Sequence, residues 1–155
     1  MKVKNLLFQG FHFIFIGITI SVQVVHGVPE RYHTYTRAVK ELDSIAKAYP
    51  QITYLDTIGV STSNNLPILG IKISDNPLVE EDEPALLYNG VHHGEELLSA
   101  EICMYMINEL VSKYGTDFAV TKWIDNLEIW VVPIVNPDYH RTFVWKISMK
   151  CYSNI

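Results

Sequence analysis

The chain has 155 residues, 48% of them apolar, and a formal charge of −5. That length holds one domain at most, and the apolar share supports a buried core rather than disorder. An acidic balance lacks the basic patch that nucleic-acid recognition requires, which speaks against DNA or RNA as a partner.

Lys2 and Lys4 precede an apolar run from Leu6 to Val25, interrupted by Gln9, Gly10, His12, Gly17, Thr19, Ser21 and Gln23, and small Gly27 follows. A charged start, an apolar middle and a small-residue end are the order of a secretory signal, and cleavage is predicted after Gly27. The run approaches the roughly 18–20 residues that span a bilayer, so a retained anchor is the competing reading, weakened by the polar interruptions. Residues 1–27 are read as a signal peptide, and the remainder as secreted, extracellular and free of the membrane after cleavage. Cys103 and Cys151 could pair in such a compartment. Cys103 falls on the apolar side of a predicted helix, however, which favours a buried free thiol.

Thr34 stands where an N-cap belongs, and Tyr35, Val39, Leu42, Ile45, Ala46 and Tyr49 recur at helical spacing, predicting a helix from Tyr35 to Tyr49 that Pro50 stops. Ile52 to Val60 and Pro67 to Ile73 read as two strands of a hairpin around the turn Ser61-Thr62-Ser63-Asn64-Asn65. In the second strand Leu69, Ile71 and Ile73 alternate with Gly70 and Lys72. The acidic stretch Glu80-Glu81-Asp82-Glu83 could hold a cation, but consecutive loop carboxylates more often serve solubility. Ala85 to Tyr88 reads as a strand, about Glu95 to Lys113 as a long helix ended by Tyr114-Gly115, and a stretch near Phe118 to Ile124 as a short one closed by Asn126. Leu127 to Val135 is the most apolar strand after the signal and is expected in the middle of a sheet. This order gives an α/β mixed sheet flanked by helices, with at least one right-handed crossover.

Between the strand ending at Tyr88 and the long helix lies Asn89-Gly90-Val91-His92-His93-Gly94-Glu95-Glu96. A loop held by two rigid elements is where sheet enzymes keep their chemistry. It contains His-x-x-Glu in two overlapping registers, His92/Glu95 and His93/Glu96. Imidazole nitrogen and carboxylate oxygen both suit zinc, and a catalytic zinc needs three protein ligands and one open position. The competing reading is a helix start where Glu95 and Glu96 only complement the positive end of the helix dipole.

An opening Tyr32-His33-Thr34, the His-x-x-Glu loop, Tyr114-Gly115 and a strand ending in Asn136-Pro137-Asp138, in this order and at these spacings, resemble the N-terminal half of the zinc carboxypeptidases related to pancreatic carboxypeptidases A and B. The resemblance covers over two-thirds of the chain. It places the zinc ligands on His93 and Glu96, with Zn2+ as cofactor and peptide or protein C-termini as substrate. It further implies a third ligand His, a general-base Glu and carboxylate-binding Arg residues beyond Ile155. In this family the residue before the ligand Glu is often Arg or Asn and helps hold the substrate; Glu95 departs from that pattern, as does Tyr139 from the usual Gly after Asn-Pro-Asp.

Residues 28–140 are accordingly read as the N-terminal part of a zinc-carboxypeptidase-like domain, and residues 141–155 as a divergent tail in which only Trp145-Lys146 resembles a family stretch. That leaves His140 as the one histidine after the central strand: either a third ligand on the same rim or a surface loop residue. No Glu follows Glu128, so the expected product is a truncated, inactive chain of metallocarboxypeptidase lineage. Its central strand Leu127–Val135 would then be exposed at an edge. The alternatives are a secreted non-catalytic binding protein on the same scaffold and a zinc amidohydrolase similar to aspartoacylase.

Overall fold

A computed structural model describes residues 32–152; the signal-peptide reading lies outside them. No helix among the described residues is long and apolar enough to cross a membrane.

The first helix, α1 (Tyr35–Ala48), starts at Thr34, whose side chain accepts from the Arg37 N–H. It buries Ala38, Leu42 and Ile45. Strands β1 (Thr53–Val60) and β2 (Pro67–Ile73) form the predicted antiparallel hairpin, with a register shift between Thr57 and Gly59. Then follow β3 (Ala85–Asn89), α2 (Leu97–Lys113), α3 (Phe118–Ile124), β4 (Glu128–Val132) and α4 (Pro137–Tyr152). Gly115, at φ +75°, supplies the left-handed turn after α2. Asp117 caps α3 by accepting from the N–H groups of Ala119 and Val120.

The four strands form one mixed sheet in the order β1-β2-β4-β3. β4 runs antiparallel to β2 and parallel to β3, so the chain from β3 to β4 crosses over through α2 and α3. Helices α1 and α2 lie side by side, Asn108 Nδ2 donating to Glu41 Oε1 at 2.9 Å. One continuous core joins their buried faces to Ile71, Ile73, Ile129 and Val131 of the sheet. Cys103 sits in that core as a free thiol.

Three expectations are corrected. β4 is not at an edge: β2 and β3 flank it, and the edge falls to β3, whose five residues are all exposed. β4 is also shorter than the apolar run, because Pro133 cannot donate to a ladder and the chain after it turns to bond Gly90 and Val91. Finally, His140 is no surface loop residue. It is fully buried within α4, a helix that crosses residue 140 without a break.

Candidate metal centre at the end of strand β3

The segment from Gly90 to Glu96 is fastened before it reaches its ionisable side chains. Gly90 extends the ladder, its N–H donating to the Val132 carbonyl and its own carbonyl accepting from the Val135 N–H, each at 3.0 Å. Val91 adopts φ 51°, an uncommon conformation for a β-branched residue. Complete burial of its side chain holds it there, together with donation of its N–H to Ser99 Oγ at 2.8 Å and acceptance from the Asn136 N–H at 2.9 Å.

This bend turns the next two N–H groups onto one carboxylate. His92 and His93 donate to Glu96 Oε2 at 3.0 and 3.1 Å. The other oxygen, Oε1, lies 2.9 Å from His93 Nδ1. The pair is open to water, with side chains 72% and 40% exposed. The hydrogen bond to Glu96, reinforced by its charge, raises the His93 pKa above the ordinary 6.5. The same bond, with the backbone donors, holds Glu96 below the usual carboxylate range. His92 takes another course. Its Nε2 is 2.7 Å from Asn89 Oδ1 and its carbonyl accepts from Asn136 Nδ2 at 3.1 Å, which directs the ring back toward β3.

The donor set of His93 and Glu96 suits zinc. Two donors on one zinc at about 2.1 Å and a tetrahedral angle stand about 3.4 Å apart. A hydrogen-bonded pair at 2.9 Å needs to open by only about half an ångström to exchange its proton for an ion of that size. Among the described residues, no third His, Cys, Asp or Glu forms a three-donor cluster with this pair. His140 does not supply it: its Nε2 is 3.1 Å from the His33 carbonyl, its Nδ1 is buried without a partner, and burial lowers the ring's pKa.

The one three-donor group among the described residues is elsewhere, where Asp75, Glu81 and Glu83 bring carboxylate oxygens within 4.8 Å of one another. The sequence pointed to the last two as part of a charged loop but gave no reason to join Asp75 to them. Also missed were the residues that brace the hairpin and the loop. Asp138 accepts from Ser61 Oγ, from the Ser63 and Asn64 N–H groups and from Asn64 Nδ2, at 2.7 to 3.1 Å. Asn-Pro-Asp was visible as a landmark, but not that its Asn holds His92 and its Asp the β1–β2 turn.

The zinc carboxypeptidase family model matches residues 38–150. Similar curated proteins include a zinc carboxypeptidase of Saccharothrix mutabilis subsp. capreolus, 34% identical over 107 residues (69% of this chain, 24% of that protein). Human carboxypeptidase D is 33% identical over 126 residues, 81% of this chain and 9% of that protein. Among solved structures, the carboxypeptidase A of Helicoverpa armigera superposes with a TM-score of 0.63 at 25% identity, covering 72% of this chain and 26% of that one. Thrombin-activatable fibrinolysis inhibitor superposes at 0.68 with 20% identity, over 76% of this chain and 29% of that one, and shows the shared fold. The chain thus spans about a quarter or less of the curated relatives it matches. It belongs to the zinc carboxypeptidase family.

Proposed function

We propose that this chain carries the first two ligands, His93 and Glu96, of the zinc centre of a secreted metallocarboxypeptidase acting on peptide C-termini, and that residues 1–155 alone are catalytically inert. The observation that carries the reading is the convergence of His93 Nδ1 and Glu96 Oε1 to 2.9 Å in the loop that leaves β3 and opens the crossover to β4. When bound, zinc would supply Lewis-acid polarisation of the scissile carbonyl and activation of water. The chain's own part is to hold the donors. The backbone N–H groups of His92 and His93 fix one oxygen of Glu96 and leave the other free to face His93. The reading of inertness rests on the donor count: among the described residues no third donor joins His93 and Glu96, one short of what a catalytic zinc needs. Residues 1–27 would direct export.

Titration of the chain with Zn2+, followed through its histidine ring resonances, tests the site. His93 should shift while buried His140 does not, and both H93A and E96Q should weaken the response. No shift at His93, or a response confined to His92, would refute the ligand assignment. The claim of inertness is separate: chelator-sensitive release of single C-terminal residues from peptides by this chain would overturn it.

A further inference from the structure

His33, just ahead of α1, has a largely buried imidazole, 13% exposed, with a carboxylate at each ring nitrogen. Nδ1 is 2.8 Å from Glu101 Oε2 on α2, and Nε2 is 2.8 Å from Glu41 Oε2 on α1. A neutral imidazole has one N–H and one lone pair. One of the two contacts would then set a lone pair against a carboxylate oxygen. Both are hydrogen bonds only when the ring carries two protons, and each is then charge-assisted.

The groups around the ring are arranged for that state. From α1 come Glu41 and, beside it, Arg37; from α2 comes Glu101; from α4 comes His140, which burial keeps toward its neutral form. The His33 N–H also donates to Glu101 Oε1 at 2.5 Å, and Asn108 Nδ2 donates to the second oxygen of Glu41 at 2.9 Å. The His33 carbonyl accepts from His140 Nε2 at 3.1 Å. One residue therefore touches three helices.

We propose that His33 is a proton-operated clamp: as an imidazolium it ties α1 to α2 and, through its carbonyl, holds α4 against both, and on losing its proton it releases one of its two carboxylates. Burial pulls the ring's pKa down, but the hydrogen bonds to Glu41 and Glu101 and their charges outweigh it, and the net shift is upward from 6.5. A group whose pKa is raised by folding contributes its full stability below its unfolded value and loses it as pH rises through the folded one. The clamp is thus closed in mildly acidic medium and opens on the alkaline side. Its opening bears on the His93 loop from two sides, because Glu101 lies in the helix that starts after Glu96 and α4 packs against Gly94. The proposal does not depend on metal.

Two measurements on the full chain test it. In a ring-resonance titration, His33 should change charge above pH 6.5; a midpoint at or below that value overturns the clamp, and this reading needs no variant. Thermal unfolding between pH 6 and 9, in an H93Q background because His93 also faces a carboxylate, should give a slope with pH that includes a downward part from His33, opposed by His140, whose lowered pKa makes stability rise with pH. Adding H33Q or E101Q should remove the downward part, turning the slope upward relative to H93Q alone, and an unchanged slope in both would overturn the proposal equally.

Discussion

Gly94 lies against the backbone of Tyr139 so closely that a Cβ at position 94 would stand 2.5 Å from the Tyr139 carbonyl carbon and oxygen. The loop carrying His93 and Glu96 is therefore seated on the first turn of α4, and Gly94 is small because the helix backbone, with the Tyr139 ring Cδ1 at 2.6 Å beside it, occupies the space. Its φ is not in the left-handed region, so contact alone decides the residue type. Gly94→Ala should destabilise the chain by about 1–3 kcal/mol, the usual cost of forcing a methyl into a filled site. Gly59→Ala is the control, since a methyl there meets only Ile68 Cδ1 at 3.7 Å; it should stay within about 0.5 kcal/mol of the parent. Urea unfolding of both variants decides. Equal midpoints would mean that α4 moves aside freely and that the loop is not seated on it.

What could be read from the sequence was local. β2 was bounded to the residue, because Pro67 marks its start and alternation fills it, and α3 was placed where the structure has it. Spacing also brought His93 and Glu96 into view, yet chose no register; the resemblance did that. The bend at Val91 that aims two N–H groups at Glu96 left no trace in residue type, because a valine at positive φ is held by packing rather than by its own preference. Contacts made across long stretches of chain were equally silent: Asp138 with the β1–β2 turn, His140 with the His33 carbonyl, and Asp75 with Glu83. Lys72 gives the clearest case. By alternation it belongs on a polar face, and that face turns out to be covered.

Lys72 and Glu128 form that cover's ion pair, Nζ to Oε1 at 2.5 Å, with side chains only 5% and 9% exposed. Lys72 also donates to the Val79 carbonyl at 2.5 Å, and Glu128 accepts from the Glu81 N–H at 3.1 Å. Removing one partner leaves a buried charge without its counter-ion, so Lys72→Met should cost about 3–5 kcal/mol. The double variant K72M/E128L should recover much of that loss, because no charge is then stranded. The hydrogen bond from Lys72, then that from Glu81, holds the Glu128 carboxyl below its ordinary 4.5. Its contribution is therefore present above that pH and lost on acidification, a loss that K72M should diminish. Denaturant midpoints of the parent, K72M and K72M/E128L across pH 3–7 provide the check. A K72M chain as stable as its parent would show that water reaches the pair and that the covering loop is not closed.

Strand β3 makes a different demand. Among the described residues it pairs only with β4, through the run Ala85-Leu86-Leu87-Tyr88-Asn89, which bears no charge. An uncharged apolar strand with one free edge is a template for another strand. Leu87, 64% exposed, has no charge beside it to discourage that pairing. The chain should associate as its concentration rises, and Leu87→Lys should suppress the association by placing a desolvation cost on the edge. Exposure alone does not account for such an effect, so the comparison is Leu78→Lys, in a loop, where the leucine is more exposed at 78%. Light scattering across a concentration series should show L87K remaining small while L78K follows the parent. If both lysines act alike, association is driven by general surface hydrophobicity, and the β3 edge has no special part in it.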